Sequence, residues 1–282
     1  MDLVGTGTTV IPQELRGLLD DAALFPPGEL PLTEAVPAHH THRAADYAAL
    51  LGPFVFPAPR LAELPAQLGG RPIALSLTVP EGPAAVAAAV REATAIEGVT
   101  VAVVEVGFPD GARVSQLEPP PGGPVFLEVP RDDRRPAILD AVAESGHRAK
   151  FRTGGGTAQA YPDELELAAA ITGCVARGLA FKCTAGLHHA VRNTEGSLEQ
   201  HGFLNVLLAT GAALDGAVTA ELAALLADRD GDRLAERWHA LGAAGRDRVR
   251  SRMLSLGTCS ITEPLADLRA LGVLDHRPEG TS

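Results

Sequence analysis

The sequence predicts an α/β fold in which parallel strands alternate with helices. Short, β-rich apolar runs recur between helical stretches through the middle of the 282-residue chain. These runs are almost continuously apolar, which is typical of strands covered by helices on their outer face. No internal repeat or long linker divides the chain, and its length suits a single barrel. Together these observations predict a TIM-like (β/α) barrel of seven or eight parallel strands, with a doubly wound open sheet as the alternative.

Six apolar runs in the first two thirds of the chain are predicted to be strands, at 54–56, 73–79, 100–106, 125–129, 148–153 and 180–185. Helices are predicted at 38–51, 60–68, 83–95, 134–145 and 162–177. Gly98 and Gly178 support this alternation, because glycine readily adopts positive φ where a helix ends before a strand. The middle of the chain therefore reads as successive βα units.

The chain becomes mostly helical after residue 186. Helices are predicted at 201–214, 219–227, 232–242 and 264–271, the last preceded by a capping box from Ser260 to Glu263. A final short strand is predicted at 253–259. We therefore expect one domain over residues 1–282, with 1–50 as an N-terminal extension and 215–250 as a helical insertion among extra C-terminal helices.

Composition excludes several functional classes. The net charge of −11 argues against nucleic-acid binding, which needs a basic surface. There is no apolar run of membrane-spanning length and no signal-peptide pattern, so we expect no membrane association and a cytoplasmic location. The three cysteines form no CxxC pair, which argues against a disulfide framework and a structural zinc site. The oligomeric state stays open, and a homo-oligomer is compatible with the sequence.

Lysine occurs at only two positions, Lys150 and Lys182, although lysine and arginine together number 24. A bias toward alanine, arginine, glycine and proline replaces surface lysines by arginine, because exposed positions tolerate either residue. A lysine amine can lose its proton and act as a base or nucleophile, whereas arginine stays protonated. Lysines that persist against this bias are therefore candidates for positions where arginine cannot function.

Both lysines lie on predicted strands, and barrel active sites lie at the carboxyl ends of the strands. Alternation along a strand places Lys150 and Arg152 on one face, and Lys182 and Thr184 on one face of the next strand. Two neighbouring ammonium groups in a desolvated site disfavour double protonation, so one of the two lysines is expected to have a lowered pKa.

Two carboxylates near the predicted strand ends could change the pKa expected for the lysines. Glu105 and Glu128 lie near the ends of two earlier predicted strands and could neutralise the lysines through ion pairs. They could instead move protons during catalysis or bind Mg²⁺ in an enolising barrel enzyme. The sequence leaves these roles open.

Residues 150–154 have the form K-x-x-T-G, and residues 182–186 have the form K-x-[S/T]-x-G. This pair of motifs on successive strands resembles deoxyribose-phosphate aldolase and related class I aldolases. The resemblance implies that Lys150 forms a Schiff base and that Lys182 eases the loss of its proton. The family's proton-relay aspartate has no match in this sequence, where Glu105 and Glu128 are the nearest candidates. The helical C-terminus and the His188-His189 pair also depart from the family pattern.

The wider chain resembles a family of uncharacterised bacterial barrel proteins. The similarity includes residues 20–27 and 201–205. This second resemblance implies a barrel and no particular activity.

The segments that follow the two lysine strands supply the other candidates. His188 is a candidate general acid or base. The substrate-binding candidates share a position at a strand end or in the loop after it, where amide, hydroxyl or basic groups could hold an anion; they are Arg152, Thr153, Gly154, Gly155, Thr184, His189, Arg192 and Asn193. Adjacent side chains in an extended loop point apart, so only one of His188 and His189 is expected to face the site.

Two other pairs of residues are given no catalytic role. Asp20 and Asp21 either cap a helix or reach over the barrel mouth. Cys183 and Cys259 have no basic partner that the sequence assigns, so both are expected to serve in packing.

Three hypotheses of function follow. The first is a class I aldolase-like lyase that acts on a small anionic carbonyl substrate through a lysine Schiff base, without a cofactor or metal. The second is a metal-assisted enolising lyase or isomerase that uses Glu105 and Glu128. The third is a non-catalytic protein that binds an anionic metabolite.

Overall fold

Eight parallel strands close into a barrel in a computed structural model that describes residues 10–117 and 123–274. The barrel strands are β1 (Leu19–Asp21), β2 (Leu51–Pro57), β3 (Ile73–Val79), β4 (Val99–Val106), β5 (Val125–Glu128), β6 (Arg148–Arg152), β7 (Phe181–Thr184) and β10 (Met253–Thr258). They follow one another around the barrel in chain order, and β10 closes it by pairing with both β7 and β1. The fold is therefore the predicted TIM-like barrel.

Helices surround the barrel and add a layer near the C-terminus. Their bounds are α1 (Leu32–Ala44), α2 (Pro65–Leu68), α3 (Val86–Thr94), α4 (Arg135–Glu144), α5 (Glu164–Ala176), α6 (Phe203–Leu214), α7 (Thr219–Ala227), α8 (Gly231–Ala240), α9 (Gly242–Arg250) and α10 (Thr262–Ala270). A short antiparallel hairpin of β8 (Asn193–Glu195) and β9 (Leu198–Gln200) follows β7. No helix within residues 10–117 and 123–274 is both long and apolar enough to cross a membrane.

Local sequence explains how these helices begin and what they bury. Asp163 caps α5, because its carboxylate accepts a hydrogen bond from the Glu166 amide at 2.8 Å. One face of α5 buries Leu167, Ile171 and Cys174 in the core. Apolar faces of other helices also pack against the barrel and bury strand side chains that point outward from it.

The N-terminal segment differs most from the expectation. Residues 1–50 were expected to form an extension, yet β1 lies inside this segment and completes the barrel between β10 and β2. The helix expected at 38–51 lies instead at Leu32–Ala44. Between β7 and β10, α7, α8 and α9 occupy the region expected to be a helical insertion.

The register of the central strands positions the two lysines. Lys150 on β6 pairs directly with Lys182 on β7, and Glu128 on β5 pairs with Lys150. Three charged residues therefore lie side by side across three adjacent strands. This arrangement directs their side chains into one region of the barrel.

Candidate functional site

A cavity of about 660 Å³ opens at the carboxyl ends of the barrel strands. Glu105, Glu128, Lys150 and Arg152 line it. The side chain of Lys150 is 6% exposed, whereas that of Lys182 is 0% exposed and lies within the barrel core. Of the two lysines, Lys150 is the one whose amine a small molecule can reach.

Six charged side chains form a continuous chain of alternating sign, which we call the charge chain. In order it comprises Asp20, Lys182, Glu105, Lys150, Glu128 and Arg152, with successive N–O distances of 2.5, 2.5, 2.8, 3.0 and 2.9 Å. Three carboxylates and three cations balance one another. The chain runs from the buried interior to the partly exposed Arg152 at the cavity.

Two serines hold the buried carboxylates of the charge chain in place. Ser255 on β10 donates a hydrogen bond to Asp20 Oδ2 at 2.8 Å, and Ser76 on β3 donates one to Glu105 Oε1 at 2.6 Å. Both serines point inward from strands that carry apolar residues on their outer face. Their hydroxyls satisfy oxygen lone pairs that a buried carboxylate would otherwise leave unpaired.

Two carboxylates of the charge chain, Glu105 and Glu128, are held ionised. Burial alone raises the pKa of Glu105, but the charges of Lys150 and Lys182 outweigh it and hold the pKa well below its usual range. Burial likewise raises the pKa of Glu128, and the charges of Lys150 and Arg152 outweigh it and lower the pKa. The ion pairs that the sequence left as an alternative are therefore present.

One of the two lysines was expected to have a lowered pKa, and Lys182 is not that lysine. Burial alone lowers the pKa of Lys182, but the charges of Asp20 and Glu105 outweigh it and raise the pKa above its usual range. Lys182 therefore stays protonated. It is a fixed cation that holds Glu105 and cannot itself serve as the nucleophile.

The two adjacent aspartates on β1 face opposite sides of the barrel wall. Asp20 points inward to Lys182, whereas Asp21 points outward and contacts His39 Nδ1 on α1 at 2.8 Å. Asp21 also accepts a hydrogen bond from the Ala23 amide. From the sequence, the two aspartates were expected either to cap a helix or to reach over the barrel mouth. The structure instead places Asp20 in the charge chain.

Gly52 on β2 leaves the space that Asp20 occupies. A Cβ atom at Gly52 would lie 1.9 Å from Asp20 Oδ1, and Lys182 and Ser255 hold that carboxylate in place. We therefore expect Gly52→Ala to lower the free energy of unfolding by about 1–3 kcal/mol through overpacking. Urea denaturation measures this loss. Gly156→Ala is the control, because no described residue beyond its two chain neighbours has an atom within 4 Å of the added Cβ. Equal losses in the two variants would contradict the prediction.

The structure brings part of the expected substrate-binding set to the cavity. Arg152, Gly155 and Thr184 line it, together with His188. Thr153 is buried and donates a hydrogen bond to the Ala185 carbonyl at 2.6 Å, so it joins the loops after β6 and β7. Gly154 permits the same close approach, since a Cβ there would lie 2.7 Å from the Gly186 Cα atom.

His189, Arg192 and Asn193 are not among the described residues that line this cavity. His189 contacts Asp267 at 3.1 Å on α10. The Arg192 guanidinium pairs with Glu164 at 2.5 Å, and the Asn193 amide donates to the Val191 carbonyl at 3.1 Å. The chain turns away from the barrel mouth after His188 and enters the β8–β9 hairpin.

His188 lies between the barrel cavity and a smaller one of about 340 Å³. Its Nδ1 atom lies 3.6 Å from Cys259 Sγ and 3.5 Å from a Glu263 oxygen. Burial lowers the pKa of His188 despite the opposing charge of Glu263. Cys259 therefore has the basic neighbour that the sequence did not assign, whereas Cys183 is fully buried in the core as expected.

The two carboxylates that the second hypothesis assigned to a metal ion, Glu105 and Glu128, form ion pairs with lysine and arginine side chains. Glu105 contacts both lysines, and Glu128 contacts Lys150 and Arg152. Within residues 10–117 and 123–274, no three His, Cys, Asp or Glu side chains are grouped so that they could hold a metal ion. A divalent cation at Glu105 and Glu128 would have to displace the Lys150 amine.

The fold and this site define a (β/α) barrel protein with a reachable lysine at the carboxyl ends of its strands. A comparison with models of protein families finds no match to the chain, and a comparison with curated proteins finds none similar to it. Its function must therefore be inferred from the site itself.

Proposed function

We propose that this protein is a lyase that acts on a small carbonyl substrate through a Schiff base at Lys150. One observation carries the proposal: the Lys150 amine lies at the wall of the strand-end cavity, between the carboxylates of Glu105 and Glu128 at 2.8 and 3.0 Å. A neutral amine in this position can attack a carbonyl carbon that enters the cavity. The short motifs around the lysines, which resemble class I aldolases, favour the same chemistry.

The neighbours of Lys150 supply the proton transfers. The Lys150 amine must first give up a proton, and Glu128 is the acceptor that the cavity reaches, since its side chain is 25% exposed. The amine then adds to the carbonyl, and the carbinolamine loses water to give an iminium ion. Glu128, having given its proton to the departing water, accepts a proton from a hydroxyl on the β carbon of the substrate. The iminium draws electrons from the bond between the α and β carbons, which breaks. The β fragment leaves as an aldehyde or ketone, and an enamine remains on Lys150. Glu128 or His188 can return a proton to the enamine carbon, since both line the cavity. Water then adds to the resulting iminium, and the second carbonyl product leaves as the Lys150 amine is restored.

Lys182 acts through Glu105. Because Lys182 stays protonated, it keeps Glu105 ionised and fixes one oxygen of that carboxylate away from the Lys150 amine. Glu105 then orients the Lys150 amine with its other oxygen. Lys182 is thus a positioning residue in the proposed reaction, and Lys150 is the catalytic one.

Reductive trapping tests the proposal. Borohydride reduces an imine to a stable secondary amine, so incubation with small aldehydes and ketones should leave a mass adduct on the peptide that contains Lys150. We expect no adduct on Lys182, because its side chain is 0% exposed. With only two lysines in the chain, mass spectrometry assigns the adduct without ambiguity.

Lys150→Arg is the matched control, because it keeps the charge and removes the nucleophile. It should lose the adduct while the fold persists. An adduct that persists in Lys150→Arg, or none in the wild-type protein with any carbonyl compound, would reject the Schiff base. Adduct formation should also be insensitive to EDTA; turnover that EDTA abolishes would instead favour the metal-assisted alternative.

A further inference from the structure

The strand-end cavity has two chemically different halves. The side that follows β1 to β4 contains Thr78 and the buried Glu105, which is paired with both lysines. The rest of this side includes an apolar rim, which we define as Phe25, Pro26, Pro57, Pro80, Phe108 and Pro109. The side formed by β5, β6 and β7 carries Glu128, Lys150, Arg152 and Thr184. A ligand that fills the cavity therefore meets the reactive amine at one end and apolar surface at the other.

The apolar rim is poorly suited to an anionic group. Four of its six residues are prolines, which have no backbone N–H to donate to a phosphate or carboxylate. The rings of Phe25 and Phe108 are only partly buried, so both offer free apolar surface to a ligand. Covering this surface with an apolar group removes it from water, which is favourable.

The charges on the other half are already balanced. Three cations in the described part of the chain line the cavity, and each is in an ion pair. Lys150 and Arg152 contact Glu128 at 3.0 and 2.9 Å, and Arg131 contacts Glu166 at 2.6 Å. An anionic ligand would lose its hydration and would have to displace a carboxylate to gain a cation.

We infer that the substrate is an uncharged carbonyl compound with an aromatic or branched aliphatic body. Its carbonyl end lies toward Lys150, and its body lies against the apolar rim. The volume of about 660 Å³ falls in the range of cavities that enclose small organic ligands, which are lined mainly by apolar groups with a few polar ones. This inference rests on the Schiff base for the orientation of the ligand, and it replaces the anionic substrate that the sequence suggested.

A competition experiment tests the preference. The wild-type protein is trapped with borohydride in an equimolar mixture of 3-phenylpropanal and glycolaldehyde phosphate, and the two adducts on Lys150 are compared by mass. The ratio is normalised to that of Nα-acetyl-lysine in the same mixture. We expect the protein to favour the phenyl compound by about ten-fold or more, the discrimination that apolar pocket contacts provide.

Phe108→Ala should reduce that ratio several-fold, because it removes apolar surface from the rim. Leu165→Ala is the control, since Leu165 is an exposed apolar residue on α5 and is not among the described residues that line the cavity; it should leave the ratio unchanged. A normalised ratio that favours the phosphate overturns the inference. So does a Phe108→Ala ratio equal to that of the wild-type protein.

A second measurement separates this inference from the Schiff base. Lys150→Arg cannot form an imine, so its thermal unfolding is followed with 3-phenylpropan-1-ol and, separately, with glycerol 3-phosphate. Ligands that bind the folded state raise the unfolding temperature. A rise with the alcohol alone supports the apolar rim even if no adduct forms on Lys150, and a rise with the phosphate alone or with neither compound overturns it.

Discussion

Replacing Lys182 with methionine is expected to lower the free energy of unfolding by about 3–5 kcal/mol, the cost of removing one partner from a buried ion pair. Lys182 is 0% exposed, and its two partners, Asp20 and Glu105, have side chains that are 3% and 1% exposed. In the variant, Ser255 still donates to Asp20, and Ser76 and the Lys150 amine still contact Glu105, but the cation that contacts both buried carboxylates is removed. Urea denaturation at neutral pH measures the loss.

Asp20 sets how the variant responds to pH. Burial raises the pKa of Asp20 in the wild-type protein against the opposing charge of Lys182. Without Lys182, Asp20 should take up a proton, so the variant should recover part of its stability as the pH is lowered toward 5. The double variant Asp20→Asn/Lys182→Met should be more stable than Lys182→Met at pH 7 for the same reason.

Arg152→Met provides the matched control for Lys182→Met. It removes a cation from the other end of the charge chain, where Arg152 is 46% exposed and Glu128 is 25% exposed. Solvent screens this pair, so the loss should not exceed about 1 kcal/mol. Equal losses in Lys182→Met and Arg152→Met would mean that water reaches the interior of the barrel and that the charge chain is not buried.

The sequence predicted the middle of the barrel because each strand there can be recognised from its own residues. The run at Ile73–Val79 is predicted and observed with the same bounds, since seven β-rich residues between turn signals leave few alternatives. β1 is different: it has three residues, two of them aspartates, which are rare in strands. Its pairing with β10 and β2 determines its conformation, and no local pattern reveals such pairing.

The candidate site shows the same division. Composition identified Lys150 and Lys182, and alternation along the strands placed them on one face. The sequence did not connect Asp20 with Lys182, because the two residues are 162 positions apart along the chain. Ser255 is 235 positions from Asp20, to which it donates a hydrogen bond. These residues meet only when the barrel closes. The raised pKa of Lys182 depends on Asp20 and Glu105, which the spacing between the two lysines does not reveal.

The loop after β7 shows a limit of the strand-end rule. His188 does line the cavity, but four residues later Arg192 is held by Glu164 at the start of α5. Asp267 on α10 accepts a hydrogen bond from the Ala190 amide at 2.8 Å and draws this segment away from the mouth. In this loop, contacts with α5 and α10 set the path of the chain, so Arg192 does not reach the cavity although it follows a strand end.

Acid should destabilise the wild-type protein more than the Glu105→Gln variant. The pKa of Glu105 is held well below its ordinary value of 4.5 in the folded protein, mainly because the charges of Lys150 and Lys182 outweigh its burial. Its carboxylate therefore contributes stability that is present above pH 4.5 and is lost as the pH falls through the lower, folded-state pKa. Glutamine cannot titrate, so Glu105→Gln lacks this contribution at every pH.

The free energies of unfolding at pH 7 and pH 3 measure the effect. At pH 7, Glu105→Gln should be less stable than the wild-type protein by about 3–5 kcal/mol, because both lysines lose a buried partner. By pH 3 the gap should narrow by roughly 2 kcal/mol, the size that linkage gives to a carboxylate paired in the folded state. Glu63→Gln is the control, since Glu63 pairs with Arg60 at the surface. This variant should show nearly the same loss of stability between pH 7 and pH 3 as the wild-type protein. A gap that stays constant between pH 7 and pH 3 would show that Glu105 is not held ionised by the two lysines. The charge chain would then lose its central anion, and with it the group proposed to orient the Lys150 amine.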